Sequence, residues 1–448
     1  MFDTMKKKIY LALFLSWTIS SASALDLVEA YQLAVQNDAS WQANQLRFRV
    51  EQQNLGIAQG AILPTVGVNA SIHQQRQHID TAQAGLNIDG QNISFYDDKN
   101  TQRQAAVNLR QPIFRMDVWE QYQKAKISVQ LAELKLQSQK QELILNVVQA
   151  YFNTLRQQHL LKVYQQEEKV LLHQYQMMQA KFQQGFVAKM DVTEADAQYQ
   201  SVIAKRVAGE VQVALAEERL ATLIGRSDTL LANLSADFNF QAPVPNNVND
   251  WTQLAQTHNL DLKQFIALQA LAEQQIKVEQ ADAYPQLAAV AGTTWSKQNP
   301  ENIMSNRGRT DNIGLELNWS PYVGTRQQLV KKARLERDAA KVDVDAQRKT
   351  IHTAVKQAYL QVMSGASQLS AYRTAMQSAQ LVADASQASY QEGLKSMVDV
   401  LLAQRNAFAA KQDYVNAQYD YVLNVFQLRA LSGQLDEQDV MQFNAWLE

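Results

Sequence analysis

Two kinds of apolar spacing alternate along this chain. In the first, apolar residues step by three and four, as at Leu145, Val148, Phe152 and Leu155, which is the spacing of a helix seam. Farther on, Leu401, Phe408, Val415 and Val422 step by seven, with Val400, Ala407, Tyr414, Tyr421 and Leu428 on the adjoining line. Two neighbouring stripes suit a helix that touches partners on both flanks. In the second kind, apolar and polar residues strictly alternate. Val66, Val68, Ala70 and Ile72 interleave with Gly67, Asn69 and Ser71, and Ile313, Leu315, Leu317 and Trp319 with Gly314, Glu316, Asn318 and Ser320. Val107 and Leu109 alternate with Asn108 and Arg110, and Leu287 to Trp295 is a weaker case. Period two predicts strands with one oily and one wet face. At about ten residues each they match tilted membrane strands, with Trp295 and Trp319 near strand ends, where an interfacial aromatic girdle lies. A soluble half-buried sheet and a plain dimeric coiled coil are the alternatives for the two patterns taken singly.

The order of these elements repeats. The stretch from Ala34 to Asp38 and Pro64 matches Ala255 to Asn259 and Pro285 at an offset of 221. Pro112 matches Pro321 at 209, and Gly185 with Asp191-Val192 matches Gly393 with Asp399-Val400 at 208. The offset falls by 12 because a loop of 28 residues at 77–104 answers to one of 16 at 297–312. Each copy reads helix, strand, loop, strand, long helix, glycine, shorter helix. Met116 to Gln184 holds 69 residues without proline or glycine, and Thr325 to Glu392 holds 68 with only Gly365. At 1.5 Å per residue each would run roughly 100 Å. The returning segments, Phe186 to Ile224 and Leu394 to Leu431, are too short to cover them. The patterns Asp38–Gln59 and Asp261–Asp282 have the length to cover the remainder, stacked end to end on the shorter helices.

Composition agrees with so helical a reading. Seven prolines and fifteen glycines in 448 residues are well below the roughly 12% of an average chain, which argues against a loop-rich enzyme or a β-sandwich. The absence of cysteine excludes disulfides, thiolate metal sites, cysteine nucleophiles and an acylated cysteine anchor. A net charge of −2 gives no overall electrostatic case for nucleic acid or an anionic membrane surface. At the N-terminus Lys6 to Lys8, the apolar run Ile9 to Ile19 and Ala22-Ser23-Ala24 have the layout of a secretory signal peptide over residues 1–24. The expected division is then a first repeat at 25–224, with strands near 65–76 and 105–114 and a hairpin tip at 185. An equatorial linker at 225–250 follows. The second repeat at 251–432 has strands near 286–296 and 313–321 and a tip at 393, with an equatorial segment at 433–448.

Four strands cannot close a barrel, and an open sheet edge is not tolerated in lipid. Other copies must complete the sheet: two give eight strands, three give twelve with room for a channel. The polar face (Asn69, Ser71, Asn108, Arg110, Glu316, Asn318) would then line a wet lumen.

With these residues in order, the mature chain resembles the TolC family of outer-membrane efflux ducts over essentially its whole length. The resemblance is carried by the opening Leu27-x-x-Ala30-Tyr31-x-Leu33-Ala34 and the doubled proline-led strands. The glycine-to-Asp-Val spacing of both hairpins and the closing run Leu431 to Asp439 complete it. It implies a mainly α fold with a β-barrel portion: a homotrimer whose 12-stranded outer-membrane barrel continues into a long periplasmic α-helical barrel. It also implies a passive, non-enzymatic duct in the outer membrane of a Gram-negative cell, working without cofactor or metal. Its partners would be outer-membrane lipid, a periplasmic adaptor (membrane fusion protein) and an inner-membrane RND, ABC or MFS transporter, with drugs, toxic small molecules or proteins as cargo.

The resemblance also assigns sites. Asp191 matches an acceptor in the first hairpin, Tyr390 and Lys395 match the tyrosine and basic residue of the second, and Asp399 matches the first acidic ring of a periplasmic gate. Lysine at 395 replaces the usual arginine and loses its bidentate fork, so the gate is expected to be held less firmly. Leu402 stands where a second aspartate is usual, and Glu194 is placed to supply a substitute ring. A threefold carboxylate ring would favour cations. For each of these charges the alternative is an ordinary solvated helix residue. Adaptor docking falls on the tips, Gly185-Phe186 and Gly393-Leu394, where Gln184 and Glu392 replace the frequent valine. No Walker loop, nucleophile elbow or His-Glu-x-x-His motif is present, and the six histidines are scattered. The rival class is a periplasmic coiled-coil adaptor or structural protein without a pore, which has no need of duplicated strands.

Overall fold

The computed structural model describes residues 24–78, 85–88, 91–94, 97–227, 230–235, 243–300 and 305–447. The expected signal peptide lies outside them except for Ala24, as do parts of the linker at 225–250. The chain begins with α1 (Leu27–Asn37) and α2 (Ala39–Gly60), then β1 (Thr65–His78), a small hairpin of β2 (Gly85–Ile88) and β3 (Gln91–Ser94), and β4 (Asp97–Phe114). The long α3 (Met116–Gln183) and its return α4 (Lys189–Ile224) complete the first copy. The second copy runs α5 (Val248–His258), α6 (Leu260–Ala281), β5 (Gln286–Pro300), β6 (Asn306–Asn318), α7 (Arg326–Gln391) and α8 (Met397–Leu431), and α9 (Glu437–Asn444) follows. Among the described residues no helix is long and apolar enough to cross a membrane.

The four long strands form one antiparallel sheet in the order β1-β4-β5-β6. Each repeat contributes one hairpin, and β4–β5 joins the two copies. The strands run farther than the apolar alternation marks. β4 starts at Asp97 rather than near 105, β6 starts at Asn306 rather than near 313, and β5 continues to Pro300. Ladder hydrogen bonds need only backbone, so pairing continues through polar residues that carry no alternation. Much of the stretch read as a loop at 77–104 is therefore strand. At the other end β6 stops at Asn318, short of 321. Beyond it the Arg326 guanidinium donates to the carbonyls of Asp282, Ser320 and Pro321 at 2.7, 2.9 and 3.1 Å. Pro112 lies inside β4, and the register shifts between it and Phe114, where the missing N–H interrupts the ladder.

In each copy the short helix folds back along the long one, α4 on α3 and α8 on α7, while α2 lies on α3 and α6 on both α3 and α7. The joints between short helices are held by asparagines. Asn259 caps α6 by accepting from the Leu262 N–H at 2.9 Å and donates to the Leu431 carbonyl, at the end of α8, at 2.8 Å. In the first copy two residues share these tasks. Asp38 accepts from the Trp41 N–H at 2.5 Å, and Asn37 donates to the Ile224 carbonyl, at the end of α4, at 2.9 Å. An amide both donates and accepts, whereas a carboxylate only accepts, so aspartate at 38 requires a separate donor beside it. Glycine closes both joints. Gly225 and Gly433 have φ of 71° and 73°, and a Cβ on Gly433 would lie 2.4 Å from the His258 carbonyl.

Among the described residues the most populous buried core gathers where α1 and α9 meet the long helices. Tyr151, Phe152, Leu155, Tyr419, Phe426 and Phe443 are fully buried there beside Leu27 and Ile224. Helix α9 is locked to α1. The Asn444 amide accepts from the Leu27 N–H at 2.9 Å and donates to Asp26 at 3.1 Å, and Glu437 accepts from the Tyr31 hydroxyl at 2.9 Å and pairs with Lys140 at 3.0 Å.

The Asn259 joint is testable. Asn259→Asp keeps the cap and removes the buried donor to Leu431, at a cost of about 1–3 kcal/mol. Amide exchange at the first turn of α6 and at Gly433 should accelerate accordingly. Asp38→Asn should leave the first joint unchanged.

Candidate functional site

The two hairpin tips share one geometry. At the end of α3 the Phe186 N–H bonds the Lys181 carbonyl and the Gly185 N–H the Phe182 carbonyl, both at 2.9 Å. At the end of α7 Leu394 bonds Ser389 at 2.8 Å and Gly393 bonds Tyr390 at 3.0 Å. Each is a Schellman closure, which needs a left-handed residue at its turn; Gly185 and Gly393 both take φ of 78°. The closure leaves the next side chain in solvent, so Phe186 and Leu394 are each 75% exposed.

Asp191 and Asp399 are the third residues of the returning helices. The Ser396 N–H donates to the Asp399 carboxylate at 3.0 Å, the Ser396 hydroxyl to the same carboxylate at 2.6 Å, and the Asp399 N–H to that hydroxyl at 3.2 Å. That is a complete capping box. The hydroxyl and backbone of Ser396, followed by the Lys395 charge, hold the Asp399 carboxyl below the usual carboxylate range. In the first hairpin the Ala188 N–H donates to Asp191 at 3.1 Å, but Ala188 has no side-chain acceptor to return the bond. The box is half made.

Within the chain the structure does not bring Asp191 to Tyr390 or Lys395. The Lys395 ammonium donates to the buried Ser386 hydroxyl at 2.9 Å. Tyr390 joins the two hairpins instead: the Lys181 ammonium lies 3.1 Å from its hydroxyl and 4.5 Å from its ring centroid, and the hydroxyl sits 3.7 Å from Met178 Sδ. One turn away Gln174 donates to Gln387 at 2.7 Å. Below these polar links Leu171, Met178, Ala195, Val202, Met397, Val400 and Leu401 form a common core. The tips of one chain are thus packed as one body, through Lys181, Met178 and the Gln174–Gln387 pair. Only the apolar period of α3 hinted at Met178, and nothing local marked its partners.

The exposed faces of the tips are two matching columns. Phe186, Met190 and Glu194 follow one another at four-residue steps on the first, and Leu394, Val398 and Leu402 at the same steps on the second, all exposed. Glu194 therefore occupies the position that Leu402 holds in the other repeat, and its carboxylate accepts from the neighbouring Gln198 at 3.3 Å. Met190 and Val398 were not singled out in the sequence, although their spacing from Phe186 and Leu394 was the available signal. Among the described residues no cluster could hold a metal ion.

At the opposite end, the ladder sorts the strands into two faces. Val66, Leu109, Ala291 and Ile313 stand opposite one another in one row, Val68, Val107 and Thr293 in the next, and Val66, Val68, Ile72, Ile313, Leu315 and Leu317 are exposed. The other face carries Asn69, Ser71, Asn108, Thr294, Asn312 and Thr310, with Arg110 bonded to Glu316 and Glu316 to Asn318 at 2.7 Å. A sheet whose oily face is unpartnered and whose wet face is amide-lined is built for lipid on one side and water on the other.

The family model for outer membrane efflux proteins matches residues 30–226 and 251–434. The chain belongs to this family. The two matched segments follow the two repeats. The TolC outer membrane protein of Escherichia coli is 28% identical, over 97% of this chain and 88% of its own. The alkaline protease secretion protein AprF of Pseudomonas aeruginosa is 26% identical, over 95% and 88%. Among solved structures, the Campylobacter jejuni CmeC outer membrane channel superposes with a TM-score of 0.77 at 17% identity, over 97% of this chain and 94% of its own. The open state of the Neisseria gonorrhoeae MtrE channel gives 0.68 at 17%, over 92% and 90%. The protein is accordingly an outer-membrane efflux or secretion channel of the TolC family, non-enzymatic, with a β-barrel part and a long helical part.

The unequal caps make a prediction. Ser396→Ala should cost the first turn of α8 about 1 kcal/mol, seen as roughly fivefold faster exchange of the Asp399 amide. Ala188→Ser should complete the box and slow exchange at Asp191.

Proposed function

We propose that three copies assemble into a passive duct, with β6 of each pairing with β1 of the next to close a twelve-stranded barrel. The carrying observation is the sheet itself: among the described residues β1 and β6 have no partner on their outer edges, and their side chains, Ile313 at 91% exposure among them, belong to an oily face. In hydrocarbon each unpaired backbone group costs several kcal/mol, so the edges must find one another. Six long hairpins would continue the barrel as a helical tube. Exposed apolar rows such as Leu46, Val50 and Ile57 on α2 and Val207, Val211 and Leu215 on α4 are suited to packing between copies. In mild detergent the protein should migrate at three times the chain mass. A monomer at native mass would overturn this reading.

The hairpin tips form the gate of this duct and the docking site for its partners. Threefold repetition would place Asp191, Asp399 and Glu194 as carboxylate rings around a narrow pore, where they concentrate cations. Tyr390 and Lys395 would hold the second hairpin closed, through Lys181 and Ser386 within the chain and through the neighbouring copy's first hairpin. The columns headed by Phe186 and Leu394 offer exposed apolar contacts to a periplasmic adaptor, which links the duct to an inner-membrane transporter of the RND, ABC or MFS type. Relatives named for protease secretion and for efflux support both kinds of cargo. Conductance across a planar bilayer should rise above wild type for Asp191→Ala and for Lys395→Ala. Unchanged conductance in both would remove those residues from the gate.

A further inference from the structure

The oily face of the sheet ends abruptly in a band of positive charge. Outward along that face from the helices, the rows run Leu287 with Leu317, Ala289 with Leu315, Leu109–Ala291–Ile313, Val107–Thr293–Asp311 and Ala105–Trp295–Arg309. From Leu287 to Trp295 this is about 27 Å of strand, which at the usual tilt fills most of an apolar band about 25 Å tall. The next row, one step of about 7 Å farther out, is Ile72–Arg103–Lys297–Arg307. Three cations stand directly side by side on neighbouring strands.

Directly opposed like charges destabilise a sheet. Arg309, one row below, is partly offset by Asp311 at 3.0 Å and lies over the Trp295 ring at 5.8 Å. Arg103, Lys297 and Arg307 have no carboxylate partner among the described residues. Two rows farther out the same face carries Arg76 opposite Lys99. The opposite, lumen-side face at this height holds Ser71, Gln104, Ser296 and Gly308, then His73, Gln102, Gln298 and Asn306. The alternation of oily and wet residues thus becomes an alternation of cations and neutral polar residues. The cations stay on the side that faces lipid below.

We propose that this row is a binding surface for the anionic, multiply phosphorylated lipid headgroups of the outer leaflet. The position is continuous with the membrane belt and lies just past the tryptophan at its rim. Three forked or flexible cations on adjacent strands, about 5 Å apart, match the spread of a phosphorylated headgroup whose acyl chains would lie along Val68, Ala70 and Ile72. Such an anion relieves the repulsion within the row and fixes the depth of the barrel. The proposal does not depend on the gate assignments.

The test uses the full-length protein in mild detergent, titrated with bisphosphorylated lipid A and read by native mass spectrometry as lipid retained. A basic residue at an anionic lipid surface contributes about fivefold in affinity. The triple variant Arg103→Gln, Lys297→Gln, Arg307→Gln should therefore weaken retention by about tenfold or more. Arg103→Lys with Arg307→Lys keeps the charge and should retain most of the binding, which separates charge from folding. Lys331→Gln, Lys341→Gln and Lys356→Gln removes the same charge from α7 and should change nothing. Equal retention by wild type and the triple variant would overturn the proposal. So would equal binding of phosphatidylethanolamine, or full displacement of lipid by millimolar inorganic phosphate, which would make the site one for the free anion.

Discussion

Backbone hydrogen bonds have nowhere to go in hydrocarbon, and the architecture of this protein answers to that fact. A four-stranded antiparallel sheet satisfies its interior strands and leaves β1 and β6 with open edges. A soluble protein blunts such edges with charge, proline or a covering loop. Here the edge strands carry Val66, Val68, Ile313, Leu315 and Leu317 on an exposed face, so blunting is not the solution adopted. Closure with further copies, as proposed above, is the alternative, and the helices would inherit its geometry. Each repeat sends one strand hairpin into the membrane and one helical hairpin away from it, so whatever number of copies closes the sheet also sets the number of helices in the tube.

Duplication made this economical, and the places where the copies differ show which features are tied to geometry. Both tips keep glycine at φ of 78° and both joints keep glycine at φ near 70°, because those turns admit no ordinary side chain. The chemistry around them has been free to divide. One asparagine at 259 does what Asn37 and Asp38 do together. Ser396 completes a cap that Ala188 leaves half made, and Leu402 stands where the first repeat has Glu194.

Much of this was legible because long-period patterns survive in sequence. The absence of proline and glycine from 116–184 foretold α3 to within a residue, and the offset of 208 foretold that Gly185 and Gly393 would turn alike. The strands were found by their oily alternation, which is a property of lipid contact and not of pairing. That is why β4 and β6 extend well beyond the stretch that alternates, into polar residues such as Thr101 and Arg307. Side-chain partners were the least visible. Tyr390 stands out as an aromatic beside a tip glycine, yet its contacts, Lys181 and Met178, lie more than two hundred positions away. The approach of the two hairpins creates that pairing, and no local pattern encodes it.

The capping geometry bears on how the proposed gate would behave. A carboxylate that caps its own helix commits oxygen lone pairs to that task and gains a reason to stay ionised. Asp399 takes bonds from the Ser396 hydroxyl and N–H beside the Lys395 charge, and its carboxyl is held below the usual range. A group with a lowered pKa keeps its charge as pH falls past the value at which an ordinary aspartate is neutralised. In a ring of three, the same bonds would work against the mutual repulsion that raises the pKa of clustered carboxylates. Along the barrel the lumen face offers mostly amides and hydroxyls, and its Arg110 and Glu316 neutralise each other. In such a duct charge selection would be concentrated at the tips, and the wide barrel beyond would add little. The discriminating element would thus sit where an adaptor binding the Phe186 and Leu394 columns is close enough to move it.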